Sequence, residues 1–105
     1  MKAKDQKHRR YFEKISEVTG DLAKTYGIAM LAVFGSLVKG NFRKNSDIDL
    51  LIRFNYPVGM IALIRLEDML RKKLGRKVDL VTENALSPYF RRDVLREMKV
   101  VYGEK

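Results

Sequence analysis

Residues Gly35–Ile52 read GSLVKGNFRKNSDIDLLI, and the way this stretch divides decides the fold. Its first two residues stop a continuous apolar run, IAMLAVF (Ile28–Phe34), which has strand length and no polar alternation. Such a run suits a strand covered on both faces. Leu37–Gly40 has room for about one helical turn, and NFRKNS is polar loop material. DIDLLIRF (Asp47–Phe54) then reads as a second strand. Side chains at i and i+2 of a strand share a face, so Asp47 and Asp49 point the same way, about 6.6 Å apart along the backbone at ~3.3 Å per residue. Ile48, Leu50 and Ile52 turn oppositely, toward a core. A strand entering a core has no structural need of two neighbouring carboxylates, so their presence asks for a compensating ligand.

Working outward, Tyr11, Ile15, Val18, Leu22 and Tyr26 recur at steps of three and four, predicting a helix from about Lys7 to Tyr26. Gly27 fits the left-handed position past its end. Residues 1–8 are expected as a frayed basic tail. Downstream, Pro57 and Gly59 precede a helix from about Met60 to Leu74, with Leu63, Leu66, Leu70 and Leu74 as its inner stripe and Gly75 closing it. Met60, Ile61 and Ile64 fall off that stripe. RKVDLVT (Arg76–Thr82) predicts a third strand. Ser87–Pro88 then starts a helix running to about Met98, with serine as cap and proline at the first helical position. A short strand, KVVY, ends the order α-β-(α)-β-α-β-α-β. This is a single α/β (or α+β) domain over residues 1–105, with no internal repeat or linker.

Composition narrows the classes. A length of 105 residues suits one domain rather than two, and a hydrophobic fraction of 46% can supply a core. The chain has no cysteine, which excludes disulfides and thiolate metal sites. No apolar run approaches the ~18 residues of a membrane span, and no apolar stretch follows the basic amino terminus as in a signal peptide. The expected location is the cytoplasm, with no membrane partner. The net charge of +9 is concentrated in residues 2–10, Arg71–Lys73 with Arg76–Lys77, and Arg91–Arg92. Those clusters read first as solvated helix faces and frayed ends; as a binding feature the charge suits nucleic acid, a triphosphate or an acidic protein equally well.

The chemistry follows from three pieces read together. Two close carboxylates repel, and partial burial adds to the cost of keeping both ionised. A divalent cation relieves both penalties, and Mg²⁺ takes one or two carboxylates completed by substrate phosphates and water. Alone, Asp-x-Asp reads more readily as a solvated strand end, so its context carries the claim. The Gly35–Ser36 turn adds close backbone approach and donors for a phosphate. Lys39, one helical turn after Ser36, adds positive charge on the same side. Asp79, opposite in direction to Val78 and Leu80, would join the pair if its strand lay beside theirs. It could then share a metal and help deprotonate an attacking hydroxyl.

Gly-Ser, ten residues (Leu37–Ser46), Asp-x-Asp in SDIDLLI and a later strand aspartate together resemble the DNA polymerase β-like nucleotidyltransferase superfamily. The match is nearest to the minimal nucleotidyltransferases of prokaryotes and runs from about Ile28 to Tyr102. The resemblance implies a mixed sheet of about four strands flanked by helices. It also implies catalytic and Mg²⁺-binding roles for Asp47, Asp49 and Asp79, with two ions expected, and nucleotide binding by Gly35, Ser36 and Lys39. ATP would be the substrate, attacked at its α-phosphate by a hydroxyl with release of pyrophosphate. Members of this kind are paired with a helical HEPN-type toxin, as an antitoxin that transfers AMP to a tyrosine of the ribonuclease. One departure stands out: the family often has arginine where this chain has Lys39, which keeps the charge and loses the bidentate fork.

The first reading is therefore an enzyme, a protein adenylyltransferase, whose acceptor is presented by a partner. Tyr56, Met60, Ile61 and Ile64 are the candidate docking residues, core packing being their alternative. A hetero-oligomer with the toxin and a homo-oligomer both stay open. The second reading is a non-catalytic antitoxin that neutralises its partner sterically. A nucleic-acid-binding module is the third; no aromatic-glycine RNA-binding signature, zinc-ligand set or helix-turn-helix supports it, and direct nucleic-acid binding is not expected. His8 is expected to be exposed and silent, and Tyr11, Tyr26, Tyr89 and Tyr102 to be packing residues.

Overall fold

The computed structural model of the protein describes the backbone of residues 2–105 and the side chains of residues 8–105. Its elements are α1 (Lys2–Tyr26), β1 (Ile28–Phe34), α2 (Ser36–Lys39), β2 (Ile48–Phe54), α3 (Met60–Leu74), β3 (Val78–Thr82), a 3₁₀ turn (Glu83–Ala85), α4 (Pro88–Glu97) and β4 (Lys99–Gly103). The strands form one mixed sheet in the order β3-β2-β1-β4. β1 is antiparallel to β2 and to β4, whereas β2 and β3 run parallel, joined by the α3 crossover.

Strand alternation divides the core in two. On one face Leu31, Val33, Ile48, Leu50, Ile52, Val78 and Leu80 pack against Ile15, Val18 and Leu22 of α1 and Leu66, Leu70 and Leu74 of α3. On the other, Met30, Ala32, Phe34 and Leu51 meet Leu86, Val94 and Met98. Burying each such aliphatic side chain contributes about 1.5–3 kcal/mol. The second layer is smaller, because α4 is only 10 residues long and Val94 is its one buried side chain. That face of the sheet therefore stays partly open.

Several boundaries differ from the sequence reading. α1 begins at Lys2 rather than near Lys7. The expected frayed tail over residues 1–8 falls mostly on residues whose side chains lie outside the description, although their backbone from Lys2 is helical. β2 begins at Ile48, which leaves Asp47 in the preceding loop. β3 begins at Val78, and α2 at Ser36. Ser87 caps α4 as expected, its hydroxyl accepting the Phe90 N–H at 3.4 Å. Tyr89 does not pack, being 93% exposed, because it lies on the side of α4 away from Val94. His8 is half-buried rather than exposed, its ring set edge-on to Phe42 at 6.1 Å. Among the described residues, no helix is long and apolar enough to cross a membrane.

Candidate functional site

The site begins where β1 ends. Gly35 adopts φ 75°, ψ −147°, a conformation open in practice only to glycine. Its carbonyl accepts the amides of Val38 at 3.1 Å and Lys39 at 3.0 Å, which winds α2 directly off the strand. Phe34, one residue earlier, is the register partner of Asp49 on β2. The bend is thereby laid against that carboxylate. A Cβ built on Gly35 would collide with Asp49 Oδ2 and stand 3.0 Å from its Cγ. Only a hydrogen atom fits between backbone and acid.

Asp49 is in turn the register partner of Asp79 across the parallel β2–β3 pair. Register partners project to the same side, here the partly open one. Asp49 is half-buried and Asp79 exposed. Burial first, then the charge of Asp79, then that of Asp47, push the Asp49 carboxyl from 3.8 up to about 6. The third contribution places Asp47 within electrostatic reach even though it stands ahead of the strand and is exposed.

Gly35, Asp49 and Asp79, but not Asp47 or Ser36, line one side of a cavity of about 350 Å³. Gly35, Lys39, Asp49 and Asp79 face Asp93 and Glu97 of α4 across it. Lys39 Nζ lies 3.9 Å from Glu97 Oε2, an exposed and weak pair that leaves the ammonium available to an anion. A larger cavity, about 650 Å³, opens at the other end of β2 and β3 beside Arg53, Tyr56 and Thr82. Size favours the latter, but convergent acids and a strained glycine are found only at the former. The chemistry decides between them.

The donor set suits a hard divalent ion. Asp49 and Asp79 offer carboxylate oxygens side by side, with open cavity beyond for phosphate oxygens and water, as Mg²⁺ prefers. Burial first, and then the charges of Asp79 and Asp47, disfavour the ionised form of Asp49, and a bound cation would offset both penalties. Among the described residues no three His, Cys, Asp or Glu side chains converge closely enough to enclose an ion unaided. Asp47 stands ahead of β2, so its direction is not set by the i, i+2 alternation.

Phe90, Asp93 and Glu97 of α4 are cavity residues that the sequence reading missed. The available signal was their spacing, i, i+3 and i+7 on one helical face. The proposed docking residues lie elsewhere. Tyr56, Met60, Ile61 and Ile64 are 53%, 71%, 70% and 50% exposed, so core packing is not their role. The Tyr56 ring covers Gly27, where a Cβ would strike it.

The nucleotidyltransferase domain family model matches residues 12–101. The chain is 38% identical over 82 residues to the protein adenylyltransferase MntA of Thermococcus cleftensis, covering 78% of this chain and 81% of that one. A toxin–antitoxin crystal structure with AMP-PNP superposes with a TM-score of 0.73 at 25% identity, covering 86% of this chain and 74% of its own. The MNT antitoxin complex with the tri-AMPylated HEPN toxin of Shewanella oneidensis gives a TM-score of 0.68 at 23% identity, covering 92% and 73%. At that identity the last likeness speaks to the fold.

Proposed function

The chain belongs to the nucleotidyltransferase domain family, a family of enzymes, and from that premise we propose that it is a Mg²⁺-dependent protein adenylyltransferase acting as an antitoxin. Its substrate is ATP, and its acceptor is a tyrosine hydroxyl on a helical HEPN-type toxin. The observation that carries this reading is the register pairing of Asp49 with Asp79 beside the Gly35 bend. Support also comes from a relative named for protein adenylylation and from the likeness to a toxin–antitoxin structure with a nucleotide analogue.

The Gly35–Ser36 backbone and Ser36 hydroxyl grip the triphosphate, and Lys39 adds charge at the cavity wall. Asp47 and Asp49, with Asp79, would hold the cation, which when bound would supply positive charge to the phosphate oxygens. Asp79, on the edge strand, takes the proton as the tyrosine oxygen attacks the α-phosphorus in line. One P–O bond forms to the tyrosine, the bond to the bridging oxygen of the β-phosphate breaks, and pyrophosphate leaves. The acceptor is brought by a partner seated on Tyr56, Met60, Ile61 and Ile64.

The test is to incubate the protein with Mg²⁺, α-labelled ATP and the product of its neighbouring gene. Label on that protein, lost with Asp49→Asn, is the expected result. The sterically acting antitoxin predicts instead that Asp47→Asn combined with Asp49→Asn still neutralises the toxin, with no label transferred by either protein.

A further inference from the structure

The loop that carries Asp47 is held by a residue far from it in sequence. Arg76, between α3 and β3, donates from Nη2 to the carbonyl of Arg43 at 2.9 Å and to the carbonyl of Ser46 at 2.7 Å. Its Nη1 donates to the Tyr11 hydroxyl at 3.1 Å. The guanidinium lies over the Phe42 ring, 4.5 Å from its centroid, and 5.8 Å from that of Tyr11. The loop is also tied to itself: the Ser46 N–H donates to the Arg43 carbonyl at 3.0 Å, and the Arg43 N–H to Ser46 Oγ at 2.9 Å. Beyond Asp47, the Ile48 N–H donates to the Lys77 carbonyl at 2.9 Å. Asp47 is thus flanked by two main-chain ties, both made to the Arg76–Lys77 dipeptide.

The arrangement bears on a specific weakness of the site. Asp47 is exposed and precedes β2, so neither packing nor strand alternation fixes its direction. What remains to fix it is the position of its own backbone. We propose that Arg76 is a positioning residue, whose forked guanidinium sets the main chain on which Asp47 rides and so presents that carboxylate toward Asp49 and Asp79. A lysine cannot reproduce the geometry, since one ammonium replaces a planar fork held against an aromatic face. Supports of this kind to a metal-binding side chain typically change metal affinity by about 10–100-fold. The inference rests on the proposed role of Asp47 toward a cation, and its test separates the two.

The direction of the effect is diagnostic. If Arg76 acted on the site only through its charge, removing that cation would tighten divalent-ion binding. Positioning predicts the reverse. Arg76→Met keeps length and apolar contact with Phe42 and removes every donor; Arg76→Lys keeps the charge. Two measurements on the full chain are needed: amide hydrogen exchange at Ser46, and Mn²⁺ binding with a non-hydrolysable ATP analogue, followed by electron paramagnetic resonance. Both variants should speed exchange at Ser46 about tenfold or more while the Leu31 and Leu66 amides stay protected, and should weaken Mn²⁺ binding about tenfold or more. In an Asp47→Asn background, Arg76→Met should add less than about twofold. Unchanged exchange at Ser46, tighter Mn²⁺ binding, or an equal loss in the Asp47→Asn background would each overturn the proposal. Failure of the functional reading looks different: Asp47→Asn would then leave wild-type Mn²⁺ binding unaltered, whatever Ser46 does.

Discussion

Asp49 and Asp79 stand directly opposite one another in the parallel β2–β3 ladder. Two like charges in register are a destabilising pair for a sheet, and here one of them is also half-buried. The fold tolerates the arrangement because the opposite sides of the same strands, at Ile48, Leu50, Val78 and Leu80, are fully occupied by α1 and α3.

The first prediction concerns stability and pH. Asp49 has a folded pKa of about 6, above its ordinary 3.8. Between those values the folded chain binds more protons than the unfolded one, so stability falls as pH rises through that window and stays reduced above it. An amide in place of the carboxyl cannot ionise. Asp49→Asn should therefore raise stability at pH 7.5 by on the order of 1 kcal/mol, after discounting for the solvent that screens a half-buried carboxylate. The gain should vanish near pH 4, and label transfer should be lost at every pH. Melting temperatures of both proteins at pH 4 and 7.5 check it, and a gain independent of pH would count against the shift.

Gly35→Ala is the second. An alanine there meets a strained φ and the Asp49 carboxylate together. The expected cost is about 1–3 kcal/mol of stability, with transfer activity down about a hundredfold because the acid must move. Gly59→Ala, where a Cβ meets nothing within 4 Å and φ is −80°, is the control and should retain full activity. Urea denaturation and single-turnover transfer assays read the two effects.

The sequence made some of this legible and hid the rest for physical reasons. The Gly35–Ser36 turn, the alternation around Asp49 and the helix ends at Gly27 and Gly75 are local, and each was readable from its neighbours. The placement of β3 beside β2 is a long-range pairing, so the convergence of Asp79 with Asp49 stood only as a condition. The spacing of Asp47 fits a strand, yet β2 begins at Ile48, and the loop before it is tied to Arg76, 30 residues away from Ser46. No periodicity signals such a tie. The acids of α4 escaped notice because helical charge ordinarily means solvent, and only the tertiary position of that helix turns Asp93 and Glu97 to the cavity.

Lys39→Arg is expected to lower the KM for ATP several-fold with little change in kcat, since a guanidinium fork holds phosphate oxygens in pairs. Lys39→Ala should raise KM by about tenfold. Steady-state kinetics with ATP varied at saturating partner measures both, and a change confined to kcat would assign Lys39 to the transition state instead.

Ile61→Asp tests the docking surface. The residue is 70% exposed, so stability should change by no more than about 0.5 kcal/mol. Affinity for the toxin should fall at least tenfold while nucleotide binding holds. Isothermal titration with each ligand gives the comparison; unaltered toxin affinity would remove this face of α3 from the interface.

The position of β3 at the margin of the sheet has a further consequence. Among the described residues no strand lies beyond β3 to raise a wall beside Asp79, so the sheet ends along that border. Whatever docks there must bring the missing bank with it. Selectivity for the acceptor would then be written largely in the visitor's shape, and the acids themselves could stay indifferent to which hydroxyl is delivered to them.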